Sequence, residues 1–203
     1  MFRESTEWSQ LYWFNTEAAN LPRIMLIGDS IVAGHAPVLA QMLAGKATVA
    51  YFATSRIVGD PAYYRELAAA VTDMHLDLIE FNNGLHGFKY DTAFYRAGLA
   101  MTLDQLQTSV RCPIRWRSST PITVKNKPDE LAENNQTVIE RNQAARELMD
   151  SRNIPTDDMY SLMLNHPEWS SGDGYHFNDE GRSVQAKILA EILLTALAGR
   201  KTC

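Results

Sequence analysis

The sequence predicts an α/β fold in three layers: a parallel sheet of five strands with helices on both faces. Three observations carry that expectation. Short apolar runs alternate five times with stretches of helical period, the pattern of repeated strand–helix–strand crossovers. The chain has 203 residues, 45% of them from the AVILMFWYC set, enough to build one hydrophobic core. No linker-like stretch interrupts the alternation, since residues 125–128 are only a short polar loop ending in Pro128. The expected organisation is a single domain over residues 21–203. Residues 1–20 stand outside the pattern and, with Trp8, Tyr12 and Trp13, read as an amphipathic segment packed on that domain.

The first strand is the run Ile24, Met25, Leu26, Ile27, which stops at Gly28-Asp29-Ser30; a helix-compatible stretch follows over residues 37–44. Residues 47–52 give a second strand and residues 62–71 a helix with Pro61 near its first turn. Residues 76–81 form the third strand. Residues 91–110 follow as a long helix with Phe94, Ala97, Met101 and Leu106 on its apolar side. The fourth strand is 113–116. Asp129 is expected to open the next helix, with Leu131, Val138, Ile139, Asn142, Ala145 and Met149 near one stripe, and Ile154 to begin the fifth strand. Asn178 or Asp179 caps a last helix whose expected buried face is Val184, Ile188, Ile192, Leu193 and Leu197.

Charge excludes several function classes. With 19 Lys+Arg against 24 Asp+Glu the net charge is −5, so no general positive field gathers phosphates, and neither nucleic acid nor an anionic membrane is an expected partner. The two cysteines, Cys112 and Cys203, cannot make a disulfide framework and read as reduced thiols. No signal peptide or membrane span is read in the chain; the stretch 188–198 is broken by Glu191 and Thr195. A cytoplasmic location is the default expectation for an untrimmed chain.

Four places carry residues suited to chemistry. Gly28-Asp29-Ser30 follows the first strand, so the Ser30 hydroxyl lies at the carboxyl edge of the sheet, near a helix N-terminus; alone, such a tripeptide serves equally well as a helix cap. Asp173 precedes His176 by three residues in a Gly-rich turn. That spacing brings a carboxylate to one imidazole nitrogen and leaves the other for a serine nucleophile. Asn82 and Asn83 end the third strand, where a side-chain amide could face a developing oxyanion or merely make a turn. Gly59, after the second strand, offers an unhindered N–H or a loop conformation that needs glycine.

Together and in this order, the four blocks resemble the SGNH, or GDSL-like, hydrolase superfamily, over nearly the whole chain from Arg23 onward. The resemblance implies a flavodoxin-like sheet. It also implies Ser30 as nucleophile, His176 as general base and acid, and Asp173 as its orienter. The oxyanion hole would be made by the N–H groups of Ser30 and Gly59 and the amide of Asn82. Ser118-Ser119-Thr120-Pro121 and Asn142 look like the family's Ser/Thr-Thr-Pro turn and helix asparagine. The third block departs from the usual Gly-x-Asn-Asp, since Glu80-Phe81-Asn82-Asn83 lacks its Gly and Asp; it is similar instead to an F-N-x-G-L-H subgroup, with Asn83 the second choice for the amide. That subgroup resemblance implies a carbohydrate O-acetylesterase without metal or organic cofactor. The substrate would be a small-molecule or oligosaccharide ester. A lysophospholipase or thioesterase on longer acyl chains, and a non-catalytic carbohydrate-binding protein on the same fold, stay open as alternatives.

Other residues rank lower. His86, His166, His176 and Asp173 are ligand types without a short metal-binding spacing, and His35 and His75 read as surface or helix-end histidines. Arg115 and Arg117 share one face of the fourth strand, fit for an ion pair or, with Tyr175 and Trp169, for substrate contact. No nucleophile elbow, phosphate loop or dinucleotide fingerprint is present.

Overall fold

A computed structural model describes residues 5–199; residues 1–4 and 200–203, and with them Cys203, lie outside the described residues. In chain order the first elements are β1 (Ser9–Trp13), β2 (Arg23–Gly28), α1 (Ser30–Met42), β3 (Thr48–Thr54), α2 (Pro61–Thr72), β4 (Leu78–Phe81), α3 (Thr92–Ser109) and β5 (Ile114–Arg117). They are followed by β6 (Thr123–Val124), β7 (Lys127–Leu131), α4 (Asn135–Ser151), β8 (Thr156–Asp157), α5 (Met159–Met163) and α6 (Asp179–Ala198). The main sheet has the order β1-β3-β2-β4-β5-β8. Its five parallel strands are β3, β2, β4, β5 and β8.

Because side chains alternate across a strand, β2 feeds both layers. Ile24 and Leu26 pack with α1 and α6 through Val32, Leu39, Leu189 and Leu193. Met25 and Ile27 pack with α2, α3 and α4 through Leu67, Leu99, Leu103 and Leu148. All carboxyl ends of the parallel strands therefore open on one edge, where Gly28 hands the chain to α1 and Phe81 hands it to the loop that begins at Asn82.

The structure differs from the sequence-based expectation in four places. Part of the leading amphipathic segment is a sixth strand, β1, antiparallel to β3, with Tyr12 opposite Tyr51 and their rings stacked at 5.9 Å. Helix α1 starts at Ser30, not residue 37, because the Asp29 carboxylate accepts the Ile31 N–H at 2.9 Å and caps the first turn; Pro37 is accommodated inside it. Asp129 opens no helix. It sits in β7, paired with β6 in a hairpin whose turn residue Asn126 has φ 61°, and α4 begins only at Asn135. Helix faces are also rotated from those expected. Helix α3 buries Tyr95, Leu99, Leu103 and Leu106 while Met101 is exposed, and α6 buries Gly181, Gln185, Ala186, Leu189 and Leu193. On α6, Val184, Ile188, Ile192 and Leu197 are only half-buried. Small Gly181 and Ala186 take the inner face, Gly181 lying directly against Trp169 and Phe177.

Arg115 and Arg117 are both committed internally. Arg115 makes two hydrogen bonds to Asp157, at 2.9 and 2.6 Å, and Arg117 Nε lies 2.9 Å from Glu80 Oε1, with both side chains buried and without the alignment of a hydrogen bond. His35 is wholly buried rather than at the surface, with Nε2 3.4 Å from Arg117 Nη1. Burial, and then the Arg117 charge, push its pKa down, so it is neutral. Burial pushes Glu80 up to about 7 against the opposing pull of Arg117. A carboxyl raised on folding stabilises fully below its unfolded pKa, and that contribution is lost as pH rises through the folded value. Stability is therefore expected to fall between pH 4.5 and 7, by on the order of 3 kcal/mol from this group. Urea unfolding of Glu80→Gln should show a flatter dependence across that window. Equal slopes for both proteins would remove Glu80 as the cause.

Candidate active site

Ser30 is the first residue of α1, directly after the β2 strand and the Asp29 cap. A first-turn N–H has no partner within its helix, so the Ser30 N–H is left at the sheet edge beside its own hydroxyl. His176 and Asp173 come from the loop before α6. His176 Nε2 is 2.7 Å from Ser30 Oγ, and His176 Nδ1 is 2.6 Å from Asp173 Oδ2. The other Asp173 oxygen accepts the N–H groups of Tyr175 at 2.9 Å and His176 at 2.8 Å. Partial burial raises the Asp173 carboxyl, but the hydrogen bonds from His176 and Tyr175 outweigh it and hold the group well below the usual carboxylate range. An ionised carboxylate only accepts, so Nδ1 carries the proton, and Nε2 is left to accept from Ser30 Oγ.

The hairpin holds this loop in place. Thr123 N–H donates to Gly174 O at 2.9 Å and Asn126 N–H to Gly172 O at 2.8 Å. Gly174 has φ 96°, and a Cβ there would strike Thr123 O, so both its conformation and the hairpin's approach require glycine.

Asn82 and Gly59 have existing partners. The Asn82 amide donates to Arg117 O at 2.7 Å and to Ser119 Oγ at 3.1 Å, and the Asn83 amide donates to Arg56 O at 3.0 Å. Ser119 is itself fixed by Asn142, which accepts its N–H at 2.8 Å and donates to its carbonyl at 2.9 Å. The Gly59 N–H is likewise engaged. It donates to the Tyr64 hydroxyl at 2.9 Å, and that hydroxyl donates onward to Gly98 O at 3.0 Å, so the bond is directed and occupied. Like the Asn82 amide, the Gly59 N–H would have to leave a present partner to meet an oxyanion.

Sequence reasoning missed Arg141. Its buried guanidinium donates to the carbonyls of Gly84, His86, Gly87 and Tyr90, at 2.8 to 3.1 Å, and so clamps the loop leaving β4. The signal was present: Arg141 lies three residues after Val138 and four before Ala145 on the stripe facing the core, where an unpaired charge is not tolerated.

Two cavities meet His176. One, also lined by Ser30, Gly34 and Arg182, is about 10 Å³. The other is about 260 Å³ and lies between the β6–β7 hairpin, residues 163–167 and the loop 174–177. Trp169 stacks on His166 at 3.7 Å, and His166 and Tyr175 both line the larger cavity.

Comparison with solved structures agrees with this architecture. An aryl esterase from M. smegmatis superposes with a TM-score of 0.73 at 19% identity, covering 87% of this chain and 100% of its own. A GDSL-like lipase from Bacteroides thetaiotaomicron gives 0.68 at 15%, covering 86% and 88%. A carbohydrate acetylesterase from Sinorhizobium meliloti gives 0.67 at 14%, covering 86% and 99%. The chain has the GDSL-like hydrolase fold. No family model matches the sequence, and no curated protein does. The likeness is one of backbone architecture, with β1 added as a sixth, antiparallel strand to the five parallel strands expected. Among the described residues no helix is long and apolar enough to cross a membrane.

Proposed function

We propose that the chain is a serine ester hydrolase of the SGNH superfamily that removes small acyl groups, acetyl above all, from carbohydrate. The observation that carries this reading is the unbroken relay Ser30 Oγ, His176 Nε2, His176 Nδ1, Asp173 Oδ2, with contacts of 2.7 and 2.6 Å. A binding protein has no use for a hydroxyl held on a base that is itself oriented by a carboxylate.

Ser30 Oγ attacks the acyl carbon as His176 Nε2 takes its proton. The imidazolium, stabilised by Asp173, then returns that proton to the departing alkoxy oxygen as the C–O bond breaks. Water repeats the sequence on the acyl-serine, with His176 again the base, and releases the carboxylic acid. The developing oxyanion is assigned to the Ser30 N–H and to the Asn82 hydrogen now on Ser119 Oγ, the longer of the two Asn82 bonds.

Acyl size is argued from space. The crevice that Ser30 shares with His176, Gly34 and Arg182 has room for about one water-sized probe, so it offers a long acyl chain no enclosed tunnel there. The likeness to the S. meliloti carbohydrate acetylesterase supports the sugar part of the reading. In a comparison of p-nitrophenyl acetate with p-nitrophenyl octanoate, kcat/KM should favour the acetate by at least about tenfold. Preference for the octanoate would replace this reading with a lysophospholipase or thioesterase. Hydrolysis of neither would leave the carbohydrate-binding alternative.

A further inference from the structure

The larger cavity is bordered by polar side chains that face solvent. Among the described residues, neither a hydrogen bond nor an ion pair engages the Asp129 carboxylate, the Asn165 side-chain amide or the Tyr175 hydroxyl, and all three residues line this space. The neighbouring Lys127 turns to Glu130 instead, at 3.1 Å. Each of the three sits on a differently constrained piece of backbone: Asp129 on β7, Asn165 at φ 62°, and Tyr175 between Asp173 and His176 with its N–H held by Asp173.

Position identifies which part of a substrate this space receives. His176 must deliver a proton from Nε2 to the leaving oxygen, so the alcohol portion of an ester lies against the imidazole. The cavity touches His176 but not Ser30, on the hairpin side, and so lies on the alcohol side of the scissile bond. At about 260 Å³ it is below the range for drug-sized ligands and suits a single ring.

Its chemistry narrows the alcohol further. Asp129 accepts hydrogen bonds only, whereas Asn165 and the Tyr175 hydroxyl both donate and accept, a set that matches neighbouring hydroxyls. The Tyr175 ring, 40% exposed, and the flanking Pro121, Leu131 and Pro167 offer apolar surface to the C–H face of a ring. A carboxylate at the wall disfavours an anionic alcohol, and a plain aryl alcohol would leave Asp129 and Asn165 unused. We propose that Asp129, Asn165 and Tyr175 form the subsite for the leaving alcohol, and that this alcohol is a neutral sugar ring. The proposal rests on the ester hydrolase reading and adds the residues that select its alcohol.

Two measurements test it. Ser30→Ala protein titrated with unacetylated xylotetraose, cellotetraose and chitotetraose should bind at least one of them. Adding Asp129→Ala should weaken that binding about tenfold or more, the effect of losing hydrogen bonds to a charged group. In the active protein, the ratio of kcat/KM on acetylated xylo-oligosaccharide to that on p-nitrophenyl acetate should fall about tenfold in Asp129→Ala and in Tyr175→Ala. Tyr175→Phe, which keeps the ring, should fall less. Hydrolysis of p-nitrophenyl acetate with no binding of any tetraose, or with a ratio unmoved by both alanine variants, overturns the subsite and leaves the hydrolase reading intact. Tetraose binding that depends on Asp129, in a chain that hydrolyses neither ester, rejects the hydrolase reading and keeps the sugar site.

Discussion

Ser30→Ala is expected to lower kcat by about 10⁴-fold or more while leaving the protein folded. The substitution deletes only the hydroxyl that His176 Nε2 meets at 2.7 Å. Helix α1 keeps its start because the cap is supplied by Asp29, not by Ser30, and alanine is a good helix former at the first position. Thermal unfolding should therefore be nearly unchanged. A His176→Ala change added to Ser30→Ala should cost little more, since the two act as one unit and their effects do not add. An additive loss in the double variant would mean that they act separately.

Asp173→Asn should be nearly as damaging, with kcat lower by about 10⁴-fold. Asparagine retains a side-chain oxygen for the Tyr175 and His176 N–H groups, so the turn survives. What is lost is the carboxylate at His176 Nδ1, and with it both the tautomer that leaves Nε2 free to accept and the charge that stabilises imidazolium. The measurement is kcat on p-nitrophenyl acetate beside the melting temperature of the same variant. Full activity would reduce Asp173 to a turn residue.

Strands and site residues were legible in the sequence to different degrees, for physical reasons. The run Ile24 to Ile27 is apolar on every position because both faces of β2 are covered, and that signal is unambiguous. Segment β1 is almost wholly exposed, so no burial pattern marks it, and only its pairing with β3 makes it a strand. The β6–β7 hairpin is likewise polar, Lys127-Pro128-Asp129-Glu130-Leu131, and is held by backbone bonds to the loop 172–174 that composition does not register. On α6, aliphatic size pointed to Ile188 and Ile192, whereas the inner face went to Gly181 and Ala186, which permit closer approach.

Within the site, the three-residue spacing of Asp173 and His176 is a local property of one turn and could be read directly. Their meeting with Ser30, 146 residues earlier, depended on the order of the four blocks. Whether a given N–H is free is a tertiary fact, and no feature of the sequence around Gly59 announces that Tyr64 takes its N–H and passes the bond to Gly98. The pairing of Glu80 with Arg117 was half legible. A Glu in the apolar strand Leu78 to Phe81 demands a cation, yet even the strand register, which sets Glu80 opposite Arg115, does not name it; Arg115 turns to Asp157 and Arg117 meets Glu80.

The most direct measurement for the account is covalent labelling. A serine-directed organophosphonate, followed by peptide mass spectrometry, should add a single adduct at Ser30 and abolish esterase activity in proportion to labelling. Ser30→Ala should take up none. An adduct at another residue, or an enzyme that stays active when fully labelled at Ser30, would contradict the assignment of Ser30 as the nucleophile.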